Sequence, residues 1–411
     1  MAFVSLKPFW RQVALVAMAI AVPAVLITPL SLWGVGLGLV MLMLSEPRES
    51  WQLLRVRMLS SQTTALACVA LCSLLASSLS GVSPAYAFGR WQVVMLLVLA
   101  AAVLCHALGR LTFSEFRIFW RILAGAVVAS MVLALGVALF VGFWVHMGLV
   151  QPGVWKLLLR LQMFSHVLVI LLPFVWLWNL KMPDGRLAAG WKQLALIAAG
   201  ISLAVVCGGV AGVVESLAVY AAFVLMAQRF YGLKTTPQLL VCVGGVALVA
   251  GVAGYAWVRG MAPVETLLAF TMPSMAGMEN WQVAWEHMLD RPMFGIGISS
   301  FRFLPGANFH PHNAFLQLGL EGGFMGFIFC AWLVGVVVWK TYLKAMQSPV
   351  AMAAFASNVG FIMGMLVHDS LFSPITLAGW LMVVALGLAQ GNPGKEETKG
   401  QKKGKNKRLA D

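Results

Sequence analysis

Residues 307–339 read ANFHPHNAFLQLGLEGGFMGFIFCAWLVGVVVW. From Ala314 to Val338 the only charged side chain is Glu321, and the run exceeds the roughly 20 apolar residues that a helix needs to cross the hydrocarbon core of a bilayer. Such a run predicts a membrane-spanning helix. Similar runs fill the rest of the chain, near 12–27, 30–44, 62–80, 92–108, 122–144, 162–180, 193–210, 215–228, 238–257, 349–366 and 373–389. The sequence therefore predicts an all-α integral membrane protein of about twelve transmembrane helices, with residues 1–390 as one polytopic membrane domain. Composition agrees. The 411 residues are 61% hydrophobic and 10% charged, where a soluble domain is about a quarter charged. A soluble enzyme is excluded.

The formal net charge of +14 could suggest nucleic-acid binding, but its distribution argues for topology instead. Residues 395–411 alone hold seven basic residues, a tail expected to be disordered from 391 onward and held at the cytoplasmic face. Most other Lys and Arg fall in alternate short gaps between spans. Because Lys and Arg resist translocation, both termini are expected in the cytoplasm. That leaves only Arg90, Lys156, Arg160, Arg259, Arg291 and Arg302 on the opposite, periplasmic side. Nucleic acid is not an expected partner; membrane lipid is. All six cysteines sit in apolar runs, so no disulfide framework is expected. No cleavable signal peptide is evident, since the first apolar run continues into a second.

One segment between spans is long enough to fold, the periplasmic loop 258–313. Its pieces TLLAFTMPSMAG and NWQVAWEHMLDRPMFGIG carry apolar and aromatic positions at helical spacing. The first predicts a re-entrant or surface helix, the second a helix against the membrane face, ended by Pro292 and a tight return at Gly295 and Gly297.

Polar chemistry gathers where this loop meets the next span. His310, His312, Asn313, Gln317 and Glu321 lie within twelve positions. With a helix starting near Pro311, His312 falls in the first turn. Asn313, Gln317 and Glu321, four apart, then share one face. Glu321 enters hydrocarbon and requires a partner or a cavity, while Gly319, Gly322, Gly323 and Gly326 would admit another helix closely. His312 reads either as a helix-start histidine satisfied by a neighbour or as a general base, the role imidazole fills near neutral pH. A metal site from His310, His312 and Glu321 is a third option, though HxH spacing is common by chance. Arg160, Arg291 and Arg302 read either as interface residues with their heads in water or as forks for phosphate oxygens; Arg259 reads as the former. His368 and Asp369, at the outer end of the penultimate span, read as loop residues or as lining of the same cavity. His166 lies in a span near its outer mouth and would face inward if functional.

The segment WQVAWEHMLDRPMFGIGISSF (281–301) and the pattern His312–Asn313, nine residues, Gly323, two residues, Gly326 together resemble the bacterial O-antigen ligase and O-antigen polymerase superfamily. The close resemblance covers about 60 residues; the span number, cytoplasmic termini and late periplasmic loop are also similar. The resemblance implies a GT-C-like membrane glycosyltransferase of the bacterial inner membrane with its site facing the periplasm. It implies an undecaprenyl-pyrophosphate-linked glycan as donor. The acceptor would be lipid A–core for a ligase, or a second lipid-linked glycan for a polymerase, and polysaccharide-assembly partners are compatible with either. His312 would activate the acceptor hydroxyl, arginines would hold the donor pyrophosphate, and no metal or other cofactor is implied. Asn313 would orient His312 or cap the helix; Glu321, His368 and Asp369 would line the cavity, orient the base or bind sugar hydroxyls. Direct displacement would invert the anomeric centre. The chain departs from the family pattern at two arginine positions: GGVAGVVESLAVY carries Glu215 where the family has a Ser-Arg pair, and AGMENW carries no arginine before the loop tryptophan. Either Arg160, Arg291 and Arg302 take over, or donor and acceptor are handled differently, or activity is reduced. A transporter of polysaccharide or lipid-linked glycan is the alternative from a different class, and a non-catalytic assembly protein a third.

Overall fold

A computed structural model describes residues 62–389 except 110, 112, 149–151, 180–190, 234–235, 263–264, 266–274, 308–310 and 368–372; of the first 61 residues it describes only 13, 16 and 17. The expected spans 12–27 and 30–44, the tail 391–411 and most of the first loop helix lie outside the described residues. Within them the chain is helical: α1 (Gln62–Ser80), α2 (Pro84–Leu108), α3 (Phe113–His146), α4 (Pro152–Asn179), α5 (Trp191–Tyr231), α6 (Pro237–Arg259), α7 (Met275–Asp290), a 3-10 turn at Phe301–Phe303, α8 (Ala314–Ala345), α9 (Pro349–Val367) and α10 (Pro374–Ala389). Five helices open on proline, whose fixed φ suits a first turn and whose missing N–H would be unpaired there in any case. The start of α6 is also capped by Thr236, and Gly260 in the left-handed conformation closes its end.

Eight of the described helices are long and apolar enough to cross a membrane, and α10 is a shorter apolar helix. Large apolar side chains point outward along them, among them Val132 on α3 and Val241 and Val249 on α6, which suits a lipid-facing surface and not a watery one. The protein is thus an all-α, multi-pass membrane protein. Helix α4 is its axis: 83% of its most apolar stretch is buried, against 22% for α2 and α6 at the margin. Trp176, Phe164 and Phe174 of α4 are enclosed completely. Polar bonds tie the last three helices together, with Asn358 donating to the Thr341 hydroxyl at 2.9 Å and accepting from Trp380 Nε1 at 2.8 Å.

Two helices are broken. In α5 the break is at Gly209 (φ 59°, ψ −132°), and the chain turns back on itself there. A Cβ on Gly212 would lie 3.1 Å from the Cα of Val205, whereas seven residues of straight helix would separate them by about 10 Å. The expected spans 193–210 and 215–228 are therefore the two arms of one tight hairpin. Both arms pack on α6, through Ser202 to the Ala247 carbonyl (2.9 Å) and Tyr220 to the Leu240 carbonyl (2.7 Å).

The second break, at Gly323 of α8 (φ 64°, ψ −172°), divides what the sequence presents as one uninterrupted span. Contacts between helix ends sort the bundle into two faces. Lys192, Arg229, Lys340 and Lys344 lie at one end, where Tyr231 reaches the Ala345 carbonyl. The loop 275–307 and the N-terminus of α8 lie at the other, described below as the outer end.

Candidate functional site

The outer end is built around the break in α8. The chain leaves α7 at Asp290, two residues before Pro292, and turns through Gly295 (φ 68°) and Gly297 (φ 98°). Residues 292–297 then pair with the broken helix by four backbone hydrogen bonds: Ile296 N–H to Leu320 O (3.0 Å), Gly297 N–H to Glu321 O (3.0 Å), Phe324 N–H to Pro292 O (2.7 Å) and Met325 N–H to Met293 O (3.3 Å). These satisfy peptide groups that the break would otherwise leave unpaired in a buried place. Glycine is required at the crossing. A Cβ on Gly323 would sit 2.5 Å from Met293 O and 2.6 Å from Gly295 N. Its neighbours Gly322 and Gly326 serve close helix packing instead, facing Leu74 of α1.

Glu321 lies inside this junction. Its carboxylate accepts from the backbone N–H of Ser299 (2.7 Å) and of Phe301 (3.2 Å), and its own carbonyl accepts from the Ser77 hydroxyl of α1. Burial of the carboxylate is complete. The partner that burial demands is thus, in part, a turn of peptide N–H groups. Ala284, Ile296, Phe301, Leu304 and Leu320 form a small separate core beneath the loop.

Three arginines stand around the loop. Arg291 donates to the Ser80 carbonyl at 2.7 Å, Arg302 lies over the Tyr86 ring at 5.5 Å, and Arg90 donates to the Ser299 hydroxyl at 3.3 Å. Arg291 and Arg302 are exposed, and neither is paired with a carboxylate among the described residues. Arg160 is exposed in the third turn of α4, and Arg259 lies over Tyr255 at 5.4 Å.

His312 is exposed just ahead of α8, in the left-handed region (φ 52°) that few residues other than glycine adopt. The helix begins at Ala314, later than the expected start near Pro311, so His312 precedes the first turn. Asn313 is the cap: its side-chain oxygen accepts from Leu316 N–H at 3.0 Å, while its amide donates to the Leu366 carbonyl at 3.3 Å. From the other side, Trp281 of α7 donates to the Pro311 carbonyl at 2.6 Å. His312 is thereby held between the middle of α7 and the facing ends of α8 and α9. His310, His368 and Asp369 lie outside the described residues, but Leu366, two positions before His368, is tied to Asn313.

One turn below Asn313, Gln317 is completely buried and neither atom of its amide has a hydrogen-bond partner among the described residues. Sequence reading placed it on the polar face but gave it no role. A pair that the sequence did not assemble lies nearby: His166 Nδ1 of α4 is 2.6 Å from Glu215 Oε1 of α5, both buried. Glu215 packs against Gly364 of α9, two positions before Leu366. Each is an ionisable group within the apolar stretch of its helix, which was the available signal; their pairing across 49 residues was not.

Among the described residues no group of three or more His, Cys, Asp or Glu side chains could hold a metal. The arrangement offers an exposed imidazole, exposed guanidinium groups on the same face, and buried polar groups beneath. Searches found no match to any protein-family model or to any curated protein.

Proposed function

We propose that the chain is an O-antigen ligase-like membrane glycosyltransferase, working on the periplasmic face of the bacterial inner membrane. It passes a glycan from undecaprenyl pyrophosphate to an acceptor hydroxyl, either lipid A–core or the terminal sugar of a second lipid-linked glycan. The observation that carries this reading is the exposed His312, fixed by Asn313, Leu366 and Trp281 on the same outer end as the exposed Arg291 and Arg302. A sugar hydroxyl is a weak nucleophile, and a positioned imidazole takes its proton as the new C–O bond forms. The glycosyl–oxygen bond to pyrophosphate breaks with its electron pair on the departing group, where guanidinium groups stabilise the charge. Displacement from the opposite side inverts the anomeric carbon. Arg160, Arg291 and Arg302 take the part of the two arginines the family pattern would place elsewhere.

Deletion of the gene in its host, complemented with His312→Ala, tests the reading. Loss of polymer from lipid A–core with lipid-linked polymer accumulating supports a ligase; attachment of single repeats alone supports a repeat-unit polymerase. Intact glycan transfer by His312→Ala at normal protein level refutes the mechanism. The buried His166–Glu215 pair favours a second reading, transport of a lipid-linked glycan or polysaccharide, because ionisable pairs inside a bundle are typical of ion-coupled carriers. Turnover of purified donor in detergent, where no vectorial movement exists, decides against it.

A further inference from the structure

Below the junction, helices α1, α2, α8 and α10 line a half-open cavity of about 700 Å³, within the size range of small-molecule and cofactor sites. It is elongated. Its lining on α8 runs from Cys330 to Lys344, about 21 Å at 1.5 Å per residue. Leu74, which packs on Gly322 and Gly326, bounds it towards the outer end. The walls are aliphatic almost throughout, and polar groups collect at the opposite end: Thr63, Thr64, Lys340 and Lys344.

The two lysines are four apart on one helix, so like charges face the same space, a destabilising arrangement without a counter-ion. Lys340 donates to the Thr63 hydroxyl and Lys344 to the Leu388 carbonyl. Among the described residues neither faces a carboxylate, and none of those that line the cavity is acidic. An ammonium group has three donors, so with respect to the described residues each retains two. A long apolar slot with two cations at its mouth matches one ligand chemistry: an apolar chain ending in an anionic head. A free phosphate would leave the slot empty, and a neutral lipid would leave the two charges opposed.

We infer that this cavity binds an anionic glycerophospholipid, with one acyl chain between α1, α2, α8 and α10 and the phosphate bridging Lys340 and Lys344. With these lysines at the cytoplasmic end, as the charge bias predicts, the lipid comes from the inner leaflet, where anionic head groups attract basic side chains. The site is separate from the outer end and stands whether or not the chain transfers glycans.

The test uses the full-length protein, delipidated in mild detergent and supplied with phosphatidylglycerol or phosphatidylcholine, with bound lipid counted by native mass spectrometry. One phosphatidylglycerol should survive activation that strips all phosphatidylcholine, and inorganic phosphate should not displace it. K340Q/K344Q should lower its occupancy at least tenfold. Ala67→Phe, which fills the slot and leaves both lysines in place, should do the same. Lys402→Gln with Lys403→Gln, removing equal charge from the tail, should not. Equal retention of the two lipids overturns the inference. So does full retention in K340Q/K344Q, or retention in Ala67→Phe by protein that elutes as a single species with native helix content.

Discussion

Replacing Gly323 by alanine should release the outer loop from the bundle. A side chain there would have to adopt φ 64° with ψ −172°, a region essentially confined to glycine, at about 1–3 kcal/mol. Its Cβ would also press on the backbone of Met293 and Gly295 at 2.5 and 2.6 Å, atoms that cannot swing aside like the end of a flexible side chain. Relief requires the loop to withdraw, giving up the four backbone bonds from 292–297 to 320–325, each worth about 1 kcal/mol net. The combined shift is about 5–7 kcal/mol towards the open loop. At 1.4 kcal/mol per tenfold, that is roughly four to five orders of magnitude in the opening equilibrium. Hydrogen exchange read by mass spectrometry on peptides covering 291–303 reports it directly. Gly326→Ala is the internal control: its Cβ would meet only the tip of Leu74 at 3.3 Å, and alanine is the better helix former by about 1 kcal/mol. Exchange in the loop should therefore be near that of the parent. If Gly323→Ala protects the loop within tenfold of the parent, or if both substitutions act alike, the glycine serves helix packing and the reasoning fails.

Glu321→Gln should loosen the same loop more mildly. One of the N–H groups of Ser299 and Phe301 would face an amide donor instead of an oxygen, about 1–3 kcal/mol for an unsatisfied buried group, visible as faster exchange at 299–301 with helix content unchanged. For the buried pair, His166→Leu or Glu215→Leu alone should lower thermal stability by about 3–5 kcal/mol, whereas both together should recover most of the loss; a double variant as weak as the sum would show that the two side chains act separately. Asn313→Ala should cost about 1 kcal/mol through loss of the cap, and Asn313→Asp should keep it. If transfer is measured, Asn313→Asp also isolates the bond to Leu366, because only the amide can donate it. Arg302→Lys keeps the charge but loses the guanidinium fork held over Tyr86, so donor KM should rise severalfold with kcat little changed. An unchanged KM would remove Arg302 from donor binding.

The spans were legible because length and apolarity alone determine what can cross hydrocarbon, and the described helices fall on the runs that sequence marks. Breaks are harder. GlyGly within an apolar run reads as room for another helix, and at Gly322 and Gly326 that is its use. At Gly323 the close neighbour is a loop some thirty positions earlier, and only the fold reveals it. Glu321 teaches the same point: its need for a partner follows from the cost of burial, but its partners include peptide groups 20 and 22 positions earlier, which no side-chain pattern advertises. His312 and Asn313 were legible as polar residues at a helix start. Their exact division of labour was not, because it depends on a helix beginning three residues later than expected, which gives the cap to Asn313 and the left-handed turn to His312.

The junction also dictates an order of assembly. The hydroxyl of Ser77 waits for a carbonyl 244 residues further on, and the carbonyl of Ser80 for an arginine 211 residues further on. Helix α1 is synthesised and inserted long before either exists, so its outer end must remain provisional through most of translation. Closure comes only when the final third of the chain arrives, a step of high contact order and correspondingly late. Chains interrupted before residue 291 would leave both of these groups of α1 without their later partners.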